Sequence, residues 1–256
     1  MGLFHVYVQS AKHQYTLTIA FVSHEVADEW WRAMSTHPEM SQWIKRISPQ
    51  LYVWTGPNRH IDLYDPHKDG ISQFADKMVN LWQSDSISNG LNGRNTHTTY
   101  GTLGIIPVQD TTDQTSGNSF FIRSKVEPYE YWYCPTTAGS ITEGAKIYTT
   151  REERTRFRVR INDGKMQPGT IMIGTDEIFV SPVFAPTLYV DVANGVARMM
   201  SVNCEGEREH KTFKLSDVRT GFISGARVMD DENDFDIVVR ELVEALDGDG
   251  EGWELV

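Results

Sequence analysis

Hydrophobic positions in the first eighty residues switch between two periods. In LFHVYVQ, Phe4, Val6 and Val8 alternate with polar or partly polar neighbours, and Tyr15, Leu17, Ile19 and Phe21 do the same in YTLTIAFV. A period of two places such side chains on one face of a strand. The period then lengthens: Val26, Ala27, Trp30 and Met34 follow Ser23 near helical spacing, so Ser23 is expected to cap a helix. Thr36 and Glu39 have capping-box spacing and predict a second short helix, with Met40, Trp43, Ile44 and Ile47 on one face. LYVWTG and HIDLYD read as two strands joined by the Gly56-Pro57-Asn58 turn. Ile71, Phe74, Ala75, Met78 and Trp82 form an amphipathic stripe and predict a third helix.

Residues 85–100 fall in a stretch rich in Gly, Asn and Ser, which has the composition of a linker or long loop and separates an α+β part at 1–84 from the remainder of the chain. Beyond it, at 101–225, the helical period disappears and strand patterns carry a weak internal repeat. FFIRSKVEPYEYWY aligns with IFVSPVFAPTLYVD, matching Phe121 with Phe179, Ile122 with Val180, Pro128 with Pro186 and Tyr131 with Tyr189. ERTRFRV aligns with EHKTFKL, matching Phe157 with Phe213 and Val159 with Leu215. Two such units predict a β-rich domain of sandwich or barrel type. In the tail, 226–256, Phe235, Val238, Val239, Leu242 and Leu246 recur at helical spacing and predict an acidic amphipathic helix. The fold expected is therefore α+β: a strand-and-helix N-terminal part, a β-rich domain of two weak repeats, and a C-terminal helix.

Charge sharpens this division. The chain carries −11 overall, and residues 226–256 hold eleven acidic and two basic side chains, so nine of those charges lie in the tail. The β-rich part is close to neutral, and the net charge disfavours nucleic acid as a general partner. The first residues have no basic region followed by an apolar run, and no stretch reaches the roughly 20 apolar residues of a membrane span. Two cysteines, Cys134 and Cys204, cannot make a disulfide framework or a four-cysteine zinc site. A cytoplasmic setting is the expectation from these points. YTLTIAFVSHEVADEWWRAM resembles the last strand and closing helix of a pleckstrin-homology domain. That family places six strands before this point, whereas fourteen residues precede Tyr15, and no ligand-binding residue carries over.

Against this background one stretch stands out. ERTRFRVRI sets Arg154, Arg156, Arg158 and Arg160 at every second position, with Thr155, Phe157, Val159 and Ile161 between them. Read as a strand, it has an apolar face and a face of four guanidinium groups about 6.7 Å apart. Neighbouring charges at that spacing repel by about 0.6 kcal/mol in water, so a wet surface tolerates the row without a ligand. The face can then be a solvated one with acidic neighbours, an anion site, or a surface met by the acidic tail. Nearby, Tyr129, Tyr131 and Tyr133 share one face of a strand, with Trp132 and Cys134 on the other, and one of those faces must be core. A flat aromatic face can support a sugar ring. His60, Asp62 and His67 offer the mixed ligands that suit a divalent metal. Asp247, Asp249, Glu251 and Gly252 have the spacing of half a calcium loop.

None of the common catalytic signatures occurs: there is no G-x-S-x-G, no phosphate-binding P-loop, no H-E-x-x-H and no G-x-G-x-x-G after a strand. The expectation is a non-catalytic binding protein for a glycan, another small molecule or an anionic ligand, with Tyr129, Tyr131, Tyr133 and the four arginines as binding residues and no cofactor. Its rivals are a metal-dependent enzyme built on His60, Asp62 and His67, and a protein-interaction module, including a homo-oligomer, using the tail helix.

Overall fold

Alternating side chains in the sequence become paired strands in the structure. It is a computed structural model, and it describes residues 4–12, 15–21, 23–38, 40–56, 99–100, 111–136, 140–201, 212–228, 237–245 and 250–256. The chain divides into two compact units, Met1–Asp113 and Gln114–Val256. The predicted metal ligands His60, Asp62 and His67, the third helix, and most of the 85–100 linker lie outside the described residues.

In the first unit, β1 (Phe4–Ser10) pairs antiparallel with β2 (Tyr15–Phe21). Helix α1 (His24–Thr36) follows, capped by Ser23, whose side chain accepts from the Val26 N–H. β3 (Ile44–Arg46), β4 (Leu51–Trp54) and β5 (Thr99–Tyr100) complete a sheet of order β3-β4-β1-β2-β5. Phe4, Val6 and Val8 all point inward, as their alternation predicts, and meet Trp30, Met34, Tyr52 and Trp54. Adjacent residues on a helix diverge by about 100°, and Trp30 is accordingly buried while Trp31 is partly exposed.

The predicted second helix does not form. Residues 40–43 turn, and Ile44–Arg46 pair with Trp54, Val53 and Tyr52 as a strand. The hydrogen bonds offered by the β4 edge outweigh the local capping signal, a case of tertiary pairing overriding a weak local preference. The short span between β2 and β4 is thus one helix and one strand, without the sheet of six strands that a pleckstrin-homology reading would need before α1.

The second unit is β-rich and holds two sheets around one core. β6 (Ser119–Phe120), β10 (Phe157–Ile161), β11 (Glu177–Pro182) and β14 (Phe213–Lys214) form the smaller, ordered β14-β11-β10-β6. The larger is ordered β12-β13-β16-β9-β8-β7-β17, with β15 also on β16. Its strands are β7 (Ile122–Ser124), β8 (Tyr131–Tyr133), β9 (Tyr148–Thr150), β12 (Leu188–Ala193), β13 (Val196–Ser201), β15 (Phe222–Val228), β16 (Val239–Glu244) and β17 (Trp253–Leu255). Phe120, Phe157, Val159 and Phe213 from the first sheet and Ile122, Trp132, Leu242 and Trp253 from the second meet in a single cluster. Trp132 is its centre, with ring contacts to Phe157, Phe222 and Trp253. β6 and β7 follow one another directly, so one run of chain serves both sheets and switches between them at Phe121. Asn194 and Gly195, both at positive φ, join β12 to β13 in the two-residue turn that suits a twisted hairpin.

Helix α2 (Leu215–Thr220) is the second described helix. The tail is a correction. Residues 239–244 form β16, paired with β9, β13 and β15, and Trp253–Leu255 form β17. β15 carries an extra residue against β16 between Ser224 and Arg227, and Val239 and Leu242 are both buried across that irregularity. Burial three residues apart imitates helical spacing, although the segment is a strand beside a bulge. The internal repeat is likewise not carried by the pairing: β7 and β11, which hold the aligned Ile122 and Val180, lie in different sheets, and Leu215, aligned with Val159 of β10, opens a helix.

Among the described residues no helix is long and apolar enough to cross a membrane.

Candidate functional site

β10 pairs with β11 along its whole length and with β6 at Phe157 and Arg158, so its two faces are fixed, and Arg154 and Arg156 immediately precede it. Phe157 and Val159 are fully buried, and Arg154, Arg156, Arg158 and Arg160 are all exposed. The core therefore holds the register of the row, because a one-residue slip would carry the guanidinium groups into the apolar interior.

Aromatic rings support three of the four arginines. The Arg154 guanidinium lies 4.4 Å from the Phe121 ring centroid and 5.6 Å from that of Tyr131. Arg156 lies 4.9 Å from the same Phe121 ring, and Arg160 lies 5.3 Å from Phe179, its partner across the β10–β11 pair. A cation over an aromatic face is attracted by the ring quadrupole and keeps its N–H edges available. Arg158 differs. Its cross-strand partners are Ser181 on β11 and Ser119 on β6.

Several carboxylates of the same unit are committed to other cations. Glu254 accepts from Arg123, Glu241 pairs with Lys146, and Glu130 sits 3.6 Å from Arg151 and 3.7 Å from Arg240 while accepting from Thr149 and Ser224. Among the described residues no carboxylate forms an ion pair with any of the four arginines. A face balanced by acidic neighbouring strands is therefore not what the sheet builds; Ser119, Ser181 and Phe179 occupy those places.

The three tyrosines divide. Tyr131 joins the arginine row through Arg154. Tyr129 is stacked instead by Arg123, 4.4 Å from its ring centroid. Tyr133 is partly buried, and burial, followed by the charge of Glu153, raises its phenol above the ordinary range. On the opposite face Trp132 and Cys134 are core, and burial pushes the Cys134 thiol up to about 12, which leaves it protonated and inert at neutral pH. Phe121 and Phe179 enter the sequence reading only as matched scaffold positions. Their place beneath the arginines depends on strand pairing that no local pattern reports.

A second group of charged residues, absent from the sequence reading, lies in the first unit. Asp28 on α1 accepts from Arg46 on β3 at 2.8 Å, and Arg46 also donates to Asp113. His24, one turn before Asp28, places Nε2 3.5 Å from its carboxylate. Asp28 Oδ2, His24 Nε2, Arg46 Nε and Tyr52 Oη are buried without a hydrogen bond to any described residue. Burial raises the Asp28 carboxyl above its usual range, outweighing His24 and Arg46, and burial likewise raises the Tyr52 phenol. The same burial lowers His24 despite the pull of Asp28. The unfolded chain takes up a proton at His24 at the ordinary value of 6.5 while the folded unit still resists it. Stability from His24 is complete above that value and is lost as the pH falls below it. Asp28 acts in the opposite sense, its share being present below 3.8 and lost as pH rises through the raised folded value. His24→Gln is expected to flatten the fall in urea midpoint between about pH 7.5 and about pH 5.5; an unchanged profile in that variant would remove His24 as its source.

Among the described residues no group of three His, Cys, Asp or Glu side chains is placed to hold a metal ion. No family model matches the chain, and no curated protein or solved structure matches it either.

Proposed function

We propose that this chain is a non-catalytic binding protein whose Gln114–Val256 unit takes an anionic ligand on the outer face of β10. The observation that carries the reading is the row of four exposed guanidinium groups, three of them stacked on Phe121, Tyr131 or Phe179, with no described carboxylate paired to any of them. Stacking favours an anion over a neutral sugar. A sugar platform needs a bare aromatic face, and these rings already carry cations, whereas stacked guanidinium groups present ordered donors that suit carboxylate, sulfate or phosphate. An acidic glycan would unite the glycan and anion expectations. The unit as a whole is acidic, so attraction must be local and short in range. The tail-helix reading has lost its helix over residues 239–244.

Titration of the full chain with dextran sulfate and with unsulfated dextran tests this. Binding is expected for the sulfated polymer alone, with affinity falling as salt rises. Replacing Arg156 and Arg158 together with alanine is expected to weaken it by roughly tenfold or more, since each exposed ion pair contributes up to about 1 kcal/mol. Stability should change by less than about 1 kcal/mol, because both side chains are exposed. Equal affinity for the two polymers, or none for either, would overturn the proposal.

A further inference from the structure

The row is not uniform, and Arg158 is its irregular member. Arg154, Arg156 and Arg160 are held over rings, but Arg158 stands between Ser181 and Ser119, directly opposite it on the two neighbouring strands. Directly opposed residues of an antiparallel pair project to the same face, with Cβ atoms about 4.5–5.5 Å apart. Phe120, Val180 and Pro182, which flank the two serines in sequence, are buried, so Ser119 and Ser181 belong to the outer face with Arg158. Both are partly exposed, and neither hydroxyl hydrogen-bonds to a described residue. Short side chains therefore flank the centre of the row: one serine hydroxyl lies on each side of Arg158, and Arg156 and Arg160 stand about 6.7 Å away along the chain.

Resting on the anion reading above, we infer that this central place is a subsite for a tetrahedral oxyanion group, a sulfate or a phosphate. The reason is directional. A planar carboxylate offers two oxygens in one plane, which a single guanidinium fork engages together. A tetrahedral anion has oxygens pointing both toward the sheet and along it. Held by Arg158, it can also accept from one flanking serine hydroxyl and from the guanidinium group of a neighbouring arginine. A serine leaves room for such a group on either side of Arg158, where a bulky residue would fill the space. Phe121 and Phe179 do so beside Arg156 and Arg160.

Competition in the full chain separates shape from charge. Sulfate, phosphate and malonate are each used to displace dextran sulfate near pH 7.5, where all three approach two negative charges, with ionic strength matched by sodium chloride. Sulfate or phosphate is expected to compete at concentrations at least about fivefold lower than malonate, a ratio of about 1 kcal/mol. Whichever of the two competes better assigns the source as a sulfate ester or a phosphate ester. Ser119→Ala with Ser181→Ala is expected to bring that ratio close to one, while dextran sulfate still binds through the arginines. The thermal midpoint of this double variant, expected to match the parent, shows that its fold is intact. If malonate competes as well as sulfate and phosphate, or if the serine variant keeps the ratio, the subsite is wrong and the anion-binding reading stands. If dextran sulfate does not bind the parent protein at all, the anion-binding reading itself fails.

Discussion

Replacing Trp132 with alanine is expected to destabilise the Gln114–Val256 unit by about 4 kcal/mol, at the upper end of what single core truncations cause. Trp132 is fully buried, and its ring lies 6.1 Å from Phe157, 5.0 Å from Phe222 and 6.0 Å from Trp253, each in an edge arrangement. These partners come from both sheets and cannot close the gap without moving strands, so most of the cavity would persist. Urea unfolding of the full chain followed by far-ultraviolet circular dichroism would measure the loss. Trp132→Phe should cost less, because it keeps a ring for those contacts. A loss below about 1.5 kcal/mol for the alanine variant would mean that the core relaxes around the site and that Trp132 is not its keystone.

Asp28→Ala is the second large effect expected, at about 3 kcal/mol on the Met1–Asp113 unit. The magnitude reflects what is left behind more than what is removed. Arg46 is almost wholly buried, and Asp28 is one of its two described carboxylate partners, the other being the more exposed Asp113. Truncating Asp28 strands a buried guanidinium with half its compensation. Asp28→Asn should cost less, since an amide oxygen can still accept from Arg46. Changing both residues to apolar ones, as in Asp28→Leu with Arg46→Met, should cost less than Asp28→Ala alone, because no charge is stranded. If the double replacement proves worse than the single one, the ion pair is a net source of stability and its attraction exceeds the cost of burying it. Urea midpoints for the three variants decide it.

How much of the fold and the site was readable from sequence depends on whether a signal is local. The alternation of LFHVYVQ and of ERTRFRVRI reports strand faces directly, and Phe4, Val6, Val8, Phe157 and Val159 lie in their cores as expected. Ser23 caps its helix because an N-cap is a contact between residues three apart. The failures arise where distant chain decides. Thr36 and Glu39 imitate a helix start, yet the edge of β4 claims Ile44–Arg46. Val239 and Leu242 have helical spacing, yet both are buried on a strand beside a bulge whose extra residue lies on β15. The four arginines could be assigned to one face from their spacing alone. What that face contains could not, since Phe121, Phe179, Ser119 and Ser181 reach it only through the pairing of β6 and β11 with β10. Asp28 and Arg46 were invisible for a similar reason. Each looks like an ordinary surface charge in its own segment, and only the approach of β3 to α1 buries them together.

The β7–β17 pair also has a bearing on how the unit is made. Arg123 on β7 and Glu254 on β17 are 131 positions apart, and the Trp253 ring completes the cluster around Trp132. Contacts across such separations are slow to form, because a long stretch of chain must be ordered before they contribute. As the polypeptide leaves the ribosome, β7 can find β8 early. Its other side stays an open edge, and the Trp132 pocket stays unfilled, until more than a hundred further residues have been added. Over that interval the nascent unit presents a hydrophobic cleft and an unpaired strand together, the combination that chaperones shield and that neighbouring chains exploit when they aggregate.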